Sequence, residues 1–187
     1  MDYQRYAAIL EYAGDNYVGW QIQRNGISVQ EITEKALTSL YSLEIRTTAS
    51  GRTDSGVHAR GQVIHFDAPA SYDPCTIRNA LNSYLPADIA IRHAMKVDNK
   101  FHARYSALRK EYSYKVVCGD VRPVLLRDFE HFLPYELNLD WLRETAVLFV
   151  GEHDFRAFAT EADGKDNCVR RVFHMNVNRT GELFEFR

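Results

Sequence analysis

The chain has 187 residues, 45% hydrophobic and 26% charged, with a formal net charge of −2 at pH 7. It can bury one core or two small ones, and its charge alone does not indicate a nucleic-acid-binding protein. No apolar run is long enough to span a membrane. The cysteines at 75, 118 and 168 have no CxxC spacing. We therefore expect reduced thiols in a cytoplasmic protein, without a disulfide framework or zinc site.

The first half of the chain predicts strands and helices in the order β-α-β-β-α-β. Ser28 and Glu31 form a capping box ahead of an apolar helical stripe, and Asp73 before Pro74 is a strong helix start. The predicted strands cover residues 3–12, 44–50, 62–67 and 90–97, and the predicted helices cover residues 28–41 and 73–85. This order is typical of the ferredoxin-like fold, with both helices on one face of an antiparallel sheet.

A polar break at residues 98–100 predicts a boundary between an N-terminal domain, 1–99, and a C-terminal domain, 100–187. The second half predicts a strand through Tyr112 and Tyr114, a helix over 140–150, a loop over 161–167 and a hairpin over 169–187. The sequence stops within an apolar strand pattern, which predicts an exposed strand edge and an incomplete second half. The expected fold class is α+β, with two ferredoxin-like or RRM-like halves built on antiparallel sheets.

The most distinctive stretch is GRTDSGVHARGQVIHFD, residues 51–67. Gly51 and Gly56 bracket Asp54, and glycine permits a positive φ and close approach of a ligand to the backbone. Arg52 lies two positions before Asp54 and favours its ionised form. An ionised, accessible aspartate is a candidate nucleophile or base. The alternative is a hairpin loop in which Arg52 and Asp54 form a solvated salt bridge of little energetic value.

Other kinds of chemistry find little support in the sequence. The seven histidines are dispersed, so no metal site is predicted, and no phosphate-binding glycine loop or nucleophile elbow is present. Asp67 is the only nearby carboxylate that could pair with Asp54 in a hydrolase, and a strand separates them. Tyr112 could stack on a base or donate a hydrogen bond, or it could simply pack in a half-buried strand.

The central stretch resembles the signature GRTD-x-GVHA-x-GQV of the tRNA pseudouridine synthase A (TruA) family. Further similar segments follow in family order along almost the whole chain: YAGDNYVGWQIQ, SVQEITEKAL, FHARYSALRKEYSYKV, GEHDFRAF and CVRRVFHMNV. The resemblance implies that Asp54 is the catalytic aspartate, Tyr112 the active-site tyrosine and Arg52 the motif arginine beside Asp54. It also implies isomerisation of uridine to pseudouridine in the tRNA anticodon stem-loop by a homodimer, without a cofactor or metal.

Residues 100–127 form the most basic part of the chain. Arg60, Arg104, Arg109 and Lys110 are candidates for contacts with tRNA phosphates, and ordinary solvated charge is the alternative for each. The family continues with an apolar helix bearing a His-x-Met-Val-Arg motif, which this sequence lacks, so we expect a truncated form. A non-catalytic RNA-binding module, or an inactive fragment of such an enzyme, is therefore the alternative function.

Overall fold

The computed structural model describes residues 2–158 and 168–187 and divides into two compact units, Met1–Arg109 and Lys110–Arg187. The division falls after the polar break that suggested a boundary at residue 99. The boundary lies at residue 109 rather than at residue 99 because hydrogen bonds extend the first unit past the polar break. The Arg5 guanidinium donates to the carbonyls of Asn99 and Phe101, at 2.7 and 3.0 Å. The segment that follows residue 99 is thereby attached to the first unit. The loop predicted over 161–167 lies outside the described residues.

The first unit has the predicted β-α-β-β-α-β order. Its elements are β1 (Tyr3–Tyr12), α1 (Val29–Tyr41), β2 (Thr48–Ala49), β3 (Ala59–Pro69), α2 (Pro74–Tyr84) and β4 (Ile89–Lys96). The strands form one antiparallel sheet in the order β2-β3-β1-β4, which is the ferredoxin-like arrangement. Strand β2 is much shorter than predicted, because the backbone N–H of Thr47 donates to the Glu34 carboxylate instead of to a neighbouring strand.

One core lies between this sheet and both helices. Alternate residues of β1, among them Tyr6 and Leu10, are fully buried on one face of the sheet. They belong to the same apolar cluster as Leu37 of α1 and Ile77 and Leu81 of α2. Both helices therefore cover a single face of the sheet, as the sequence predicts.

Both helix starts of this unit use the caps that the sequence indicates. The Ser28 hydroxyl accepts from the N–H of Glu31 at 3.2 Å, and the Asp73 carboxylate accepts from the N–H groups of Cys75 and Thr76. The Glu31 carboxylate pairs with Lys35 instead of accepting from the Ser28 N–H, so only the Ser28 half of the predicted capping box forms. The predicted helix starts are confirmed.

The second unit contains a mixed sheet and is only partly as predicted. Its elements are β5 (Tyr114–Cys118), β6 (His131–Leu133), α3 (Leu139–Val147), β7 (Gly151–Asp154), β8 (Val169–Val172), β9 (Val177–Thr180) and β10 (Leu183–Phe186). The order of the larger sheet is β6-β5-β10-β9, and β6 runs parallel to β5. The expectation of a purely antiparallel sheet was therefore wrong here. Strand β8 pairs with β7, so only β9 and β10 form the hairpin predicted over 169–187.

The last strand is internal, which corrects the predicted exposed edge. Strand β10 pairs with β5 on one side and β9 on the other, and Phe184 at its centre is fully buried. Phe184 packs in a small core with Val116, Cys118, Ala146 and Val177. The apolar pattern that suggested an unpaired edge is the pattern of a central strand.

A buried histidine connects the sheet of the first unit to the segment after β4. The His65 side chain accepts the N–H of Ala103 at Nδ1, 3.1 Å away, and its ring centroid lies 4.8 Å from that of His102. Burial lowers the pKa of His65. The nearby charges of Arg5 and His102 lower this pKa further, whereas the charge of Asp67 raises it. The folded state therefore binds fewer protons at His65 than the unfolded chain.

We expect acid to destabilise the protein through His65. The pKa of His65 in the folded state lies below its unfolded value of 6.5. Its contribution to the free energy of unfolding is therefore largest above pH 6.5 and decreases as the pH falls below 6.5. The free energy of unfolding, measured with urea, should be lower at pH 5.5 than at pH 7.5. His65→Asn, which keeps an acceptor for Ala103, should reduce this dependence. Equal slopes in the two proteins would contradict the assignment.

Candidate active site

Asp54 lies in a loop that is clamped against a second segment of the first unit. We call residues 51–58 the Asp54 loop and residues 13–23 the Trp20 segment. The N–H of Trp20 donates to the carbonyl of Thr53 at 3.0 Å, and the N–H of Gly56 donates to the carbonyl of Tyr17 at 3.3 Å. The N–H of Gly14 donates to Nδ1 of His58 at 3.0 Å. Together with the Ser55 hydroxyl, which donates to the carbonyl of Tyr17, these hydrogen bonds hold the two segments together along their length.

Close backbone approach explains the glycines of the Trp20 segment. A Cβ on Gly19 would lie 2.5 Å from the carbonyl oxygen of Thr53, and one on Gly14 would lie 2.3 Å from that of Val57. Gly19 also has a φ of +99°, which other residues rarely adopt. Gly56 has the positive φ that the sequence suggested, at +78°, whereas Gly51 does not. Sequence reasoning missed the roles of Gly14 and Gly19.

Buried polar side chains anchor the Asp54 loop to the sheet. Gln62 donates to the carbonyl of Gly51 at 2.6 Å and accepts from the hydroxyl of Ser50 at 2.8 Å. The Tyr12 and Thr53 hydroxyls are 2.9 Å apart. Burial raises the pKa of Tyr12, so its hydroxyl keeps the proton that this hydrogen bond can use. The residues on both sides of Arg52 are therefore fixed from within the fold.

The two segments line an open pocket of about 440 Å³. Its lining consists of Val18, Gln21, Ile22, Gln23, Arg52, Thr53, Asp54 and Ser55. Arg52 and Asp54 are both exposed, and neither side chain takes part in a hydrogen bond or ion pair with the described residues. The salt bridge considered for this pair is absent. A carboxylate and a guanidinium are thus both available to a ligand in one pocket.

The other predicted site residues belong to other parts of the chain. Tyr112 belongs to the second unit, precedes β5 rather than lying within it, and is 78% exposed. Arg60 is exposed at the start of β3, and the Arg104 guanidinium lies over the ring of Tyr105 at 5.8 Å. Arg109 and Lys110 are exposed on either side of the division between the units.

The structure gives no sign of a metal centre in the residues it describes. No group of three or more His, Cys, Asp or Glu side chains there is arranged to hold a metal ion. None of the described helices is both long and apolar enough to cross a membrane.

The family model and the relatives that match this chain all carry the same family description. A family model described as tRNA pseudouridine synthase matches residues 8–106, which include the Trp20 segment and the Asp54 loop. The tRNA pseudouridine synthase A of Pseudothermotoga lettingae is 38% identical over 93% of this chain and 71% of its own length. Its counterpart from Geobacillus sp. (strain WCH70) is 41% identical over 98% of this chain and 74% of its own length. That of Syntrophotalea carbinolica is 43% identical over 90% and 67%. The chain belongs to the tRNA pseudouridine synthase family.

Proposed function

We propose that this chain isomerises uridine to pseudouridine in the anticodon stem-loop of tRNA, with Asp54 as the nucleophile. The observation that carries the proposal is the Asp54 carboxylate, which is exposed, unpartnered among the described residues and positioned in a pocket by an anchored loop. An exposed carboxylate held in this way is able to attack an electrophilic carbon. The relatives' names supply the substrate class, which is tRNA.

The reaction proposed is an isomerisation that needs no other reactant. The Asp54 carboxylate attacks the nucleoside, the bond between C1′ and N1 breaks, and the detached uracil turns. A new bond forms between C1′ and C5, the hydrogen leaves C5 as a proton, N1 takes up a proton, and Asp54 is released as a carboxylate. The target must first leave the stack, which costs roughly a few kcal/mol.

The remaining predicted residues have supporting roles in this proposal. Arg52, which has no partner among the described residues, orients the substrate beside Asp54. Tyr112 offers an exposed aromatic face to the base, and exposed cations at 60, 104, 109 and 110 contact tRNA phosphates. The active form that we propose is a cytoplasmic homodimer. Sedimentation would measure the mass of this dimer in solution.

Mapping the product tests the proposed function. The unsubstituted chain is incubated with an unmodified tRNA transcript that carries uridines in its anticodon arm. Pseudouridines are then located by carbodiimide labelling and primer extension. We expect product in the anticodon arm alone. Product elsewhere would overturn the proposed target, and no product would overturn the proposed activity.

A non-catalytic RNA-binding module is the second candidate. Exposed aromatic residues, among them Tyr112 at 78% and Tyr105 at 77%, lie close in sequence to Arg104, Arg109 and Lys110, and this combination suits RNA binding. The accessible carboxylate of Asp54 argues against it, because an anion that faces phosphates weakens binding.

A further inference from the structure

The polar side chains of the pocket fall into two groups when their partners are compared. Three already have partners: Gln23 donates to the carbonyl of Val18, Thr53 bonds to the Tyr12 hydroxyl, and Ser55 donates to the carbonyl of Tyr17.

Three others, Gln21, Arg52 and Asp54, have no hydrogen bond or ion pair with the described residues. The proposed function assigns Asp54 and Arg52, which leaves Gln21 without a role. It is the one neutral group of the three.

The backbone presents Gln21 at a defined position. The carbonyl of Trp20 accepts from the N–H of Gln30 at 2.9 Å, and the Trp20 N–H donates to the Asp54 loop. On the other side, the N–H of Ile22 donates to the side-chain oxygen of Gln30 at 3.3 Å. The indole of Trp20 is only 3% exposed. Both neighbours of Gln21 are therefore fixed, while its own amide remains exposed on the pocket wall.

We propose that the Gln21 amide binds the edge of the target uracil that carries N3–H and its flanking carbonyls. This inference rests on the proposed function, because it assumes that uridine enters the pocket. A glutamine amide presents one acceptor and two donors, so it can accept from N3–H and donate to an adjacent carbonyl at the same time. Val18 and Ile22 supply apolar surface beside it. Gln21 is thus a specificity-determining residue for the base.

The symmetry of uracil makes this contact useful throughout the reaction. When uracil turns about the axis through N3 and C6, C5 takes the place of N1, and the two carbonyls exchange places. The pattern carbonyl, N3–H, carbonyl is the same before and after the turn. Gln21 can therefore hold the base in both orientations through equivalent hydrogen bonds. Cytosine lacks this symmetry, since an amino group replaces one carbonyl and N3 carries no hydrogen.

A double-difference binding experiment tests the contact without relying on turnover. Two RNA hairpins are compared, with either uridine or 3-methyluridine at the only uridine position of the loop. Affinities are measured for the Asp54→Asn chain with and without Gln21→Ala. We expect Gln21 to give about a tenfold preference for the uridine hairpin, and Gln21→Ala to remove it. Asn25→Ala, in an exposed residue of the neighbouring turn, is the control and should keep the preference.

The outcomes separate this inference from the proposed function. Equal affinities of the Gln21-containing chain for the two hairpins, or a preference that survives Gln21→Ala, would overturn the contact. Product formation by the unsubstituted chain is scored separately. If product forms but the preference does not depend on Gln21, the proposed function stands and the base contact is overturned. If the Gln21-dependent preference is seen but no product forms, the base contact stands and the proposed function is overturned. Thermal melting of Gln21→Ala should match the parent, because the residue is exposed.

Discussion

Asp54→Asn is expected to slow single-turnover pseudouridine formation by at least about a thousandfold. Asparagine has nearly the same shape as aspartate, but its amide lacks the negative charge that makes a carboxylate a nucleophile. The side chain has no hydrogen-bond or ion-pair partner among the described residues, so stability should change by less than about 0.5 kcal/mol. The rate is measured on unmodified tRNA with enzyme in excess.

Product formation by the same variant, with tRNA affinity measured alongside it, distinguishes an enzyme from an RNA-binding module. Removing one negative charge should leave tRNA binding unchanged or slightly tighter in both cases. Only an enzyme has product to lose. Asp2→Asn, which changes an exposed carboxylate outside the pocket, is the control and should keep the full rate. A rate for Asp54→Asn within tenfold of the parent would contradict the nucleophile assignment.

Gly19→Ala is expected to have the second largest effect, on both stability and activity. Its Cβ would lie 2.5 Å from the carbonyl oxygen of Thr53 and 3.0 Å from the carbonyl carbon of Asp54, and both are backbone atoms. Alanine must also adopt a φ of +99°. The free energy of unfolding should fall by about 2–4 kcal/mol, and turnover should drop at least about tenfold. Urea denaturation and single-turnover kinetics provide the two measurements.

Substitutions at two other glycines distinguish the two causes of that loss, which are the steric clash and the backbone strain. A Cβ on Gly61 meets no atom within 4 Å, and its backbone φ is not positive, so Gly61→Ala should be nearly neutral. Gly56 has a φ of +78° but open space around its Cβ, so Gly56→Ala should show the backbone strain alone, about 1–2 kcal/mol. If Gly19→Ala were as stable and active as Gly61→Ala, the close approach of the two segments would be wrong.

Local signals explain why the first unit was predicted well. Its helix starts depend on caps at Ser28 and Asp73, which act within three residues, and β1 has the predicted bounds of Tyr3–Tyr12. The second unit depends on which strands pair and in which direction. The parallel alignment of β6 with β5 and the pairing of β8 with β7 leave no local signature, so the sequence favoured a simpler antiparallel arrangement.

The candidate site likewise combines what a local motif indicates with what only the folded structure shows. Arg52 and Asp54 lie in one distinctive motif, so the sequence alone pointed to both, and both line the same pocket. Tyr12 was not found, because the hydrogen bond that gives it a role joins it to Thr53, 41 residues away. Gln21 was also missed, since its significance depends on which neighbouring side chains already have partners.

The most direct test of the central assignment is release of tritium from tRNA labelled at C5 of uridine. Formation of the bond between C1′ and C5 removes that hydrogen, so release reports the isomerisation itself. We predict that the chain releases tritium to water in step with pseudouridine formation, and that Asp54→Ala releases none. Intact tRNA binding without tritium release, or release that survives Asp54→Ala, would contradict the assignment of Asp54 as the catalytic nucleophile.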